Sequence, residues 1–174
     1  MHSHSVHSQD VSIAYRVIGA GPRDVMLVHG WMVSGAVYDD LVGALDTEGL
    51  RLILVDLRGS GKSGRPQSGY TIEQYAKDVL AVADAVGSRK FMLVGHSMGG
   101  QIAQWIAATA PERVLGMVLL CPVPASGIPL PPDAQVAMAL RMDGFENVRI
   151  LHGGYGEWKA RGGMDAFARA AKKG

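Results

Sequence analysis

A chain of 174 residues, 48% of them hydrophobic and 19% charged, is long enough for one globular domain with a sizeable core. Its formal net charge of +1 gives no electrostatic reason to expect nucleic acid or an anionic membrane as a partner. The single cysteine, Cys121, excludes an internal disulfide framework and fits a reducing, cytoplasmic location, and no apolar run reaches transmembrane length.

The first thirty residues predict a polar arm and two strands. Residues 1–8 lack the apolar middle of a signal peptide, and we expect a frayed tail rather than a metal site built from its histidines. Val11 to Gly19 has the character of an edge strand and is followed by a turn over 20–24. The continuous apolar run Val25 to Val28 is typical of a strand buried on both faces.

Helices and strands alternate after this point. The pattern predicts a helix over about 36–47, a strand over 51–55, a helix over about 71–86, a strand from 91, a helix to about 110 and a strand over 116–120. A capping box of Thr71 and Gln74 opens the second helix, and Gly87 ends it. Beyond a proline-rich loop we expect a helix over about 133–142, a short strand over 147–151 and a last helix over about 164–172.

This alternation predicts one domain over residues 1–174 of the α/β class. We expect a three-layer α/β/α sandwich whose sheet is mostly parallel and has five or six strands. In such a sheet the carboxyl ends of the parallel strands lie at one edge, where ligands usually bind.

The stretch from Phe91 to Gly100 carries the strongest functional signal. A short apolar run ends in Gly95-His96-Ser97-Met98-Gly99, the pattern Gly-x-Ser-x-Gly, and a helical pattern follows at once. This strand, turn and helix context is the one that a nucleophile elbow requires. Glycine is needed at both ends of so tight a turn, and the Met98 amide can face the negative oxygen of a tetrahedral intermediate. The alternative is a turn with a buried serine.

Residues 29–31, His29-Gly30-Trp31, end a strand at the same predicted edge as the elbow. The Trp31 amide is the candidate for a second donor to the oxyanion. For the His29 ring itself we prefer packing against backbone to a chemical role. His96 is adjacent to Ser97, and neighbouring side chains at such a turn point apart, so His96 is not expected to be its base.

The loop over 56–64 contains two overlapping phosphate-binding patterns. Residues 59–64 satisfy Gly-x-Gly-x-x-Gly, but Pro66 and Gly69 stand where the helix of a dinucleotide site should begin. The P-loop pattern fails because its first glycine would fall at Asp56. We therefore expect no cofactor, and local polar contacts by Asp56 and Arg58 beside the site.

These motifs together resemble the α/β-hydrolase fold over about residues 10–132, in the order and spacing of that family, with greatest similarity to small serine esterases and lactonases. The resemblance implies that Ser97 is the nucleophile and that the Trp31 and Met98 amides form the oxyanion hole. Family members are usually longer and carry a lid, an acid after a later strand and a histidine. After the elbow this chain has only His152, which is the possible base, and Glu157 is the possible acid.

A second resemblance concerns the C-terminal part of the chain. Residues 144–159, with Gly-Phe-x-x-Val, a short strand and Gly-Gly-x-x-x-Trp, look like the closing segment of a rhodanese-like domain, over about 134–163. This resemblance implies a chimera, completed over 133–174 by a rhodanese-like helix, strand and helix. The basic anion-binding loop of a rhodanese is absent around Cys121, so sulfur transfer is a remote alternative.

The sequence thus predicts a site that hydrolyses small carboxylic esters, with weak activity because the usual acid and histidine are missing. Without a base, a serine hydroxyl is a poor nucleophile near neutral pH. The alternatives are an inactive engineered or truncated scaffold, and a homodimer that buries exposed apolar surface. No metal, nucleic acid or membrane is expected.

Overall fold

The computed structural model describes residues 3–126 and 148–151, and one mixed sheet forms the centre of these residues. Seven strands are described, in the spatial order β1-β2-β4-β3-β5-β6-β7. Their bounds are β1 Ser3–Ser8, β2 Val11–Ile18, β3 Arg23–Val28, β4 Leu50–Val55, β5 Phe91–His96, β6 Val114–Leu120 and β7 Val148–Leu151. The helices are α1 Asp39–Ala44, α2 Ile72–Ala85 and α3 Met98–Thr109, with 3-10 turns at Gly35–Tyr38 and Pro111–Arg113.

The register of the sheet brings the ends of its central strands together. Strands β4, β3, β5, β6 and β7 run parallel, whereas β1 and β2 are antiparallel to their neighbours. Val28 pairs with both Val55 and Gly95, so the segments that follow β3, β4 and β5 leave the sheet at one edge. The predicted fold class, a mostly parallel α/β/α sandwich, is confirmed.

The N-terminal segment differs from its prediction. Ser3–Ser8 is a strand and not a frayed arm, and it pairs with β2 from Ser3↔Arg16 to Ser8↔Val11. The Ser8 hydroxyl donates to the buried Asp78 carboxylate over 2.6 Å, and His4 stacks on Tyr15. These long-range contacts explain why a polar segment is ordered. They also move Val11–Ile18 from the sheet edge to an inner position and raise the strand number above the predicted five or six.

Apolar residues cover both faces of the sheet, which accounts for the three layers. One cluster packs α2 and α3 on the sheet; its central members are Ile13, Met26, Ile53, Val79, Val82, Leu93, Ile102 and Ile106. The other packs α1 and the turn before it on the opposite face; its central members are Val25, Leu27, Tyr38, Leu41, Leu52, Leu54 and Val94. Side chains on a strand alternate between faces, so each inner strand serves both clusters.

The helices largely follow the sequence pattern. The Thr71 side chain accepts from the Gln74 amide, as the capping box predicts, and Gly87 follows α2 with a φ of 71°. The helix predicted over 36–47 is instead a 3-10 turn and the short α1, because Leu45 is extended and the Asp46 carboxylate caps a turn.

The predicted strand over 147–151 is confirmed as β7, which pairs with β6. The helices predicted over 133–142 and 164–172 lie outside the described residues. Within the described part of the chain, no helix has the length and apolar character needed to cross a membrane.

Candidate active site

Ser97 occupies the sharp turn between β5 and α3. Its backbone has φ 53° and ψ −118°, a conformation that is costly for a residue with a Cβ and that clusters at functional sites. The Ser97 amide donates to Leu120 O, and its carbonyl accepts from the Gly100 and Val123 amides. The side chain is half-buried, and its hydroxyl has no hydrogen-bond partner among the described residues. The backbone bonds therefore hold the turn while leaving the hydroxyl available.

Glycine is required on both sides of this turn by close backbone contacts. A Cβ at Gly99 would lie 2.0 Å from Val28 O and 2.6 Å from His29 O, and one at Gly95 would lie 2.5 Å from Gly99 O. Such distances are far inside van der Waals contact. The first turn of α3 can thus press against the end of β3 only because Gly99 has no side chain.

The segment that follows β3 lies against the elbow. A Cβ at Gly30 would be 3.0 Å from the Ser97 Cβ, so the two loops are in direct contact. Neither the Trp31 amide nor the Met98 amide has a hydrogen-bond acceptor among residues 3–126. An oxyanion hole needs unpaired N–H groups beside the nucleophile, and these two amides are the candidates for that role.

The His29 ring is fully buried between two backbone segments. Its Nε2 accepts from the Leu57 amide over 3.0 Å, and its Nδ1 lies 2.7 Å from Gly30 O. Burial lowers the pKa of His29. The expected packing of this ring against backbone is confirmed, and the ring forms no hydrogen bond with Ser97.

The His96 side chain belongs to a different environment. With Val37, Tyr38, Leu41 and Leu120 it lines a small, mostly apolar cavity of about 100 Å³ on the α1 side of the sheet. Its Nδ1 is buried without a partner in the described part of the chain, and burial lowers its pKa. No hydrogen bond joins it to Ser97, as expected for neighbours at this turn.

The glycine-rich loop over 56–64 is filled by its own carboxylate. Asp56 accepts from the Gly35 amide over 2.8 Å and from the Lys62 amide over 2.9 Å. A Cβ at Gly61 would lie 2.2 Å from Asp56 Oδ2. The Asp56 carboxylate therefore occupies the space that a phosphate would need in this loop.

Arg58 anchors the same loop from inside the protein. It is 2% exposed and forms a two-pronged ion pair with Asp78 of α2, at 2.6 and 2.8 Å. This agrees with the expectation that Asp56 and Arg58 make local polar contacts beside the site.

Two further side chains support the site, and sequence analysis did not identify them. The Tyr38 hydroxyl donates to Val28 O, at the end of β3, over 2.8 Å. The Ser63 hydroxyl donates to Asp56 O and accepts from the Ala14 amide. Each contact joins two different elements or loop positions beyond the range of a local pattern, and the one between Ser63 and Ala14 spans 49 residues.

His152 and Glu157, the possible base and acid, lie outside the described residues, and the last described residue before them is Leu151. Leu120 of β6 pairs with His96 on one side and with Leu151 on the other. Leu151 and His96 therefore lie in the same row of the sheet, two strands apart. Two strand spacings amount to about 10 Å.

The exposed Cys121 has a φ of 44° just beyond β6. Residues 3–126 and 148–151 contain no cluster of three or more histidine, cysteine or acidic side chains with the spacing of a metal site.

Comparison with known proteins agrees with this geometry. The family model described as "alpha/beta hydrolase fold" matches residues 25–156. A non-heme chloroperoxidase of Streptomyces lividans is 38% identical over 60% of this chain and 39% of its own length. A bifunctional esterase/perhydrolase of Acinetobacter calcoaceticus is 35% identical over 60% of this chain and 39% of its own length. The chain therefore spans well under two thirds of the length of these relatives.

Solved structures give a similar result. A protein described as an N-acyl homoserine lactone degrading enzyme has a TM-score of 0.66 and 30% identity, over 81% of this chain and 54% of its own. The rhodanese-like interpretation of 134–163 finds no support in these matches, because the hydrolase family model itself extends to residue 156.

Proposed function

The chain belongs to the alpha/beta hydrolase fold family, and on this premise we propose that it hydrolyses small carboxylic esters by acyl transfer at Ser97. The observation that carries the proposal is the strained Ser97 turn beside two unpaired amides. The similarity to an esterase/perhydrolase and to a lactone-degrading enzyme supports a substrate with a carbonyl group. No cofactor is needed for this reaction.

In the proposed reaction, Ser97 Oγ attacks the ester carbonyl and loses its proton to a base. The Trp31 and Met98 amides bind the negative oxygen of the tetrahedral intermediate, where one donor is worth about 100- to 1000-fold in kcat. The intermediate collapses to an acyl-enzyme while the protonated base donates its proton to the leaving oxygen, which departs as the alcohol. Water then attacks the acyl group with the same base accepting its proton, which releases the acid and restores Ser97.

We propose His152, which follows β7 in sequence, as the base, and Glu157, five residues later, as the acid. β6 separates β5, which precedes Ser97, from β7, so we propose weak activity. The alternative is an inactive α/β scaffold, favoured by the lack of a hydrogen bond between Ser97 and any described histidine.

Hydrolysis of p-nitrophenyl acetate tests the proposal. We expect Ser97→Ala to abolish turnover and to prevent labelling by a fluorophosphonate, and His152→Ala to reduce kcat. Ser68→Ala, an exposed loop serine, is the matched control and should behave as the parent chain. Equal rates for the parent chain and Ser97→Ala would rule out hydrolysis at Ser97 and favour the inactive scaffold. Loss in Ser97→Ala alone would keep the nucleophile and discard His152.

We also propose that two copies of the chain associate through an apolar surface at this edge. Trp31 is 73% exposed and Met32 80%, and Val33 and Val37 are exposed beside them. Light scattering should show a dimer that Met32→Ser weakens. Leu115→Ser, at a separate exposed position, should leave it intact. A monomeric parent chain would contradict this proposal.

We also propose a cytoplasmic location, because the chain has a single cysteine.

A further inference from the structure

The His29 ring joins the two loops that meet at the proposed site. Through Nε2 it accepts from Leu57, at the start of the loop after β4, over 3.0 Å. Through Nδ1 it contacts Gly30 O, in the loop after β3, over 2.7 Å. The ring is fully buried, so water does not compete for either contact.

These two contacts leave only one protonation state for the ring. A backbone N–H can only donate, so Nε2 must present a lone pair to Leu57. A neutral imidazole with a bare Nε2 carries its proton on Nδ1. The Nδ1–H group therefore donates to Gly30 O. Burial lowers the pKa of His29, which favours this neutral form.

The donation to Gly30 O orients the next amide. In a planar trans peptide the C=O and N–H bonds point in opposite directions. Fixing the Gly30 carbonyl on the His29 ring thus directs the Trp31 N–H away from that ring. Gly30 also packs against Ser97, and the Trp31 amide has no acceptor among the described residues.

We infer that His29 is a positioning residue, which holds the Gly30–Trp31 peptide so that the Trp31 amide is ready to bind an oxyanion. This inference rests on the proposed function, because it assigns that amide to the negative oxygen of the intermediate. The ring itself touches no reacting atom. Its effect is to prevent rotation of a peptide that no regular secondary structure holds.

Two amide substitutions separate the two hydrogen bonds of the ring. Asparagine can place its NH₂ group where Nδ1–H lies and keep the donation to Gly30 O, but it cannot reach Leu57. Glutamine can place its carbonyl where Nε2 lies and keep the Leu57 bond, but it loses the donor to Gly30 O. The two variants therefore distinguish support of the peptide from a general structural role.

The kinetic test compares kcat and KM of the two variants on p-nitrophenyl acetate. We expect His29→Asn to keep most of kcat, and His29→Gln to lose up to about 100-fold of kcat with KM unchanged. Unfolding midpoints measured in urea correct for any difference in stability. Equal kcat values for folded Asn and Gln variants, or a higher kcat for the Gln variant, would overturn the inference.

A second readout does not depend on activity. Nitrogen-15 NMR of the parent chain should show His29 with Nδ1 protonated and Nε2 bare at pH 7. The Trp31 backbone amide resonance should move in His29→Gln and stay in place in His29→Asn. The opposite tautomer, or an unmoved Trp31 amide in His29→Gln, refutes the positioning role. If the parent hydrolyses no ester, the proposed function fails while these spectra still decide the inference.

Discussion

The glycine at position 99 permits the closest backbone approach at the site. Its Cα faces Val28 O and His29 O at distances that leave no room for a methyl group. Val28 is the last residue of β3, and His29 begins the segment that carries the Trp31 amide. One missing side chain thus couples the elbow to the proposed oxyanion hole.

We therefore expect Gly99→Ala to destabilise the fold and to abolish hydrolysis, since backbone atoms 2.0 Å from the new Cβ must shift. Gly43→Ala in α1 is the matched control: nothing lies within 4 Å of its Cβ, and alanine is favoured there by about 0.5–1 kcal/mol. Urea unfolding measures both. A Gly99→Ala variant as stable as the parent would contradict the packing described.

A buried charge pair fixes the loop that holds Asp56. Arg58 and Asp78 are both almost fully buried, and Asp78 also accepts from the Ser8 hydroxyl. Removing Asp78 would leave the Arg58 charge buried, and the exposed Asp10 at 3.8 Å would be its one acidic partner among the described residues.

We expect Asp78→Ala to lower the free energy of unfolding by about 3–5 kcal/mol, the cost of an unpaired buried charge. Glu73→Ala on the same helix breaks an exposed pair with Lys77 and should cost about 0.3–0.5 kcal/mol. Urea titration compares the two. Similar losses for both variants would count against a structural role for the buried pair.

At the scale of the element, β1 protects the open side of β2. It pairs with β2 along six residues and supplies the Ser8 contact to α2. Without it, the unpaired backbone of β2 would form an exposed edge, which favours association with other chains.

Deleting residues 1–8 should therefore lower the free energy of unfolding by at least about 1.5–3 kcal/mol, the contribution of a hydrogen bond to a charged group such as the one from Ser8 to Asp78, and should promote aggregation. Denaturant unfolding and concentration-dependent light scattering measure these effects. Ser5→Ala, at an exposed position of β1, is the control that should change neither. A deleted chain that stays monomeric and stable would show that β1 is dispensable.

At the scale of the whole molecule, parallel strands assemble the site from distant segments. The ends of β3, β4 and β5 bring His29, Asp56 and Ser97 to one edge, and the helices on both faces bury the strands beneath them. Two of the histidines at this edge, His29 and His96, are held in surroundings that disfavour their charged form.

This predicts how stability depends on pH. Burial lowers the pKa of both His29 and His96 below 6.5, their ordinary value. The unfolded chain then binds more protons than the folded chain below about pH 6.5, so the free energy of unfolding decreases as the pH falls. Above that pH the two histidines do not make the free energy of unfolding depend on pH. Urea titrations between pH 8 and 5 test this, and His29→Gln should weaken the dependence. Rising stability on acidification would contradict it.

Local patterns predicted those parts of the molecule that neighbouring residues determine. Apolar runs gave the parallel strands, Thr71 gave the start of α2, and the spacing of Gly95, Ser97 and Gly99 gave the sharp turn. The assignment of Ser97 as nucleophile stays a prediction, as does the role of His152. The N-terminal segment was predicted wrongly, because its order comes from pairing with β2 and from Asp78 seventy residues away.

By itself, the sequence determined the fold class and the turn at Ser97, because the periodicity of apolar residues and the need for glycine are local properties. Only the tertiary structure decided which groups meet there. It placed the Asp56 carboxylate inside the loop that resembles a phosphate site, and the His29 ring between Leu57 and Gly30. Such contacts depend on the order and register of the strands, which no short stretch of residues encodes.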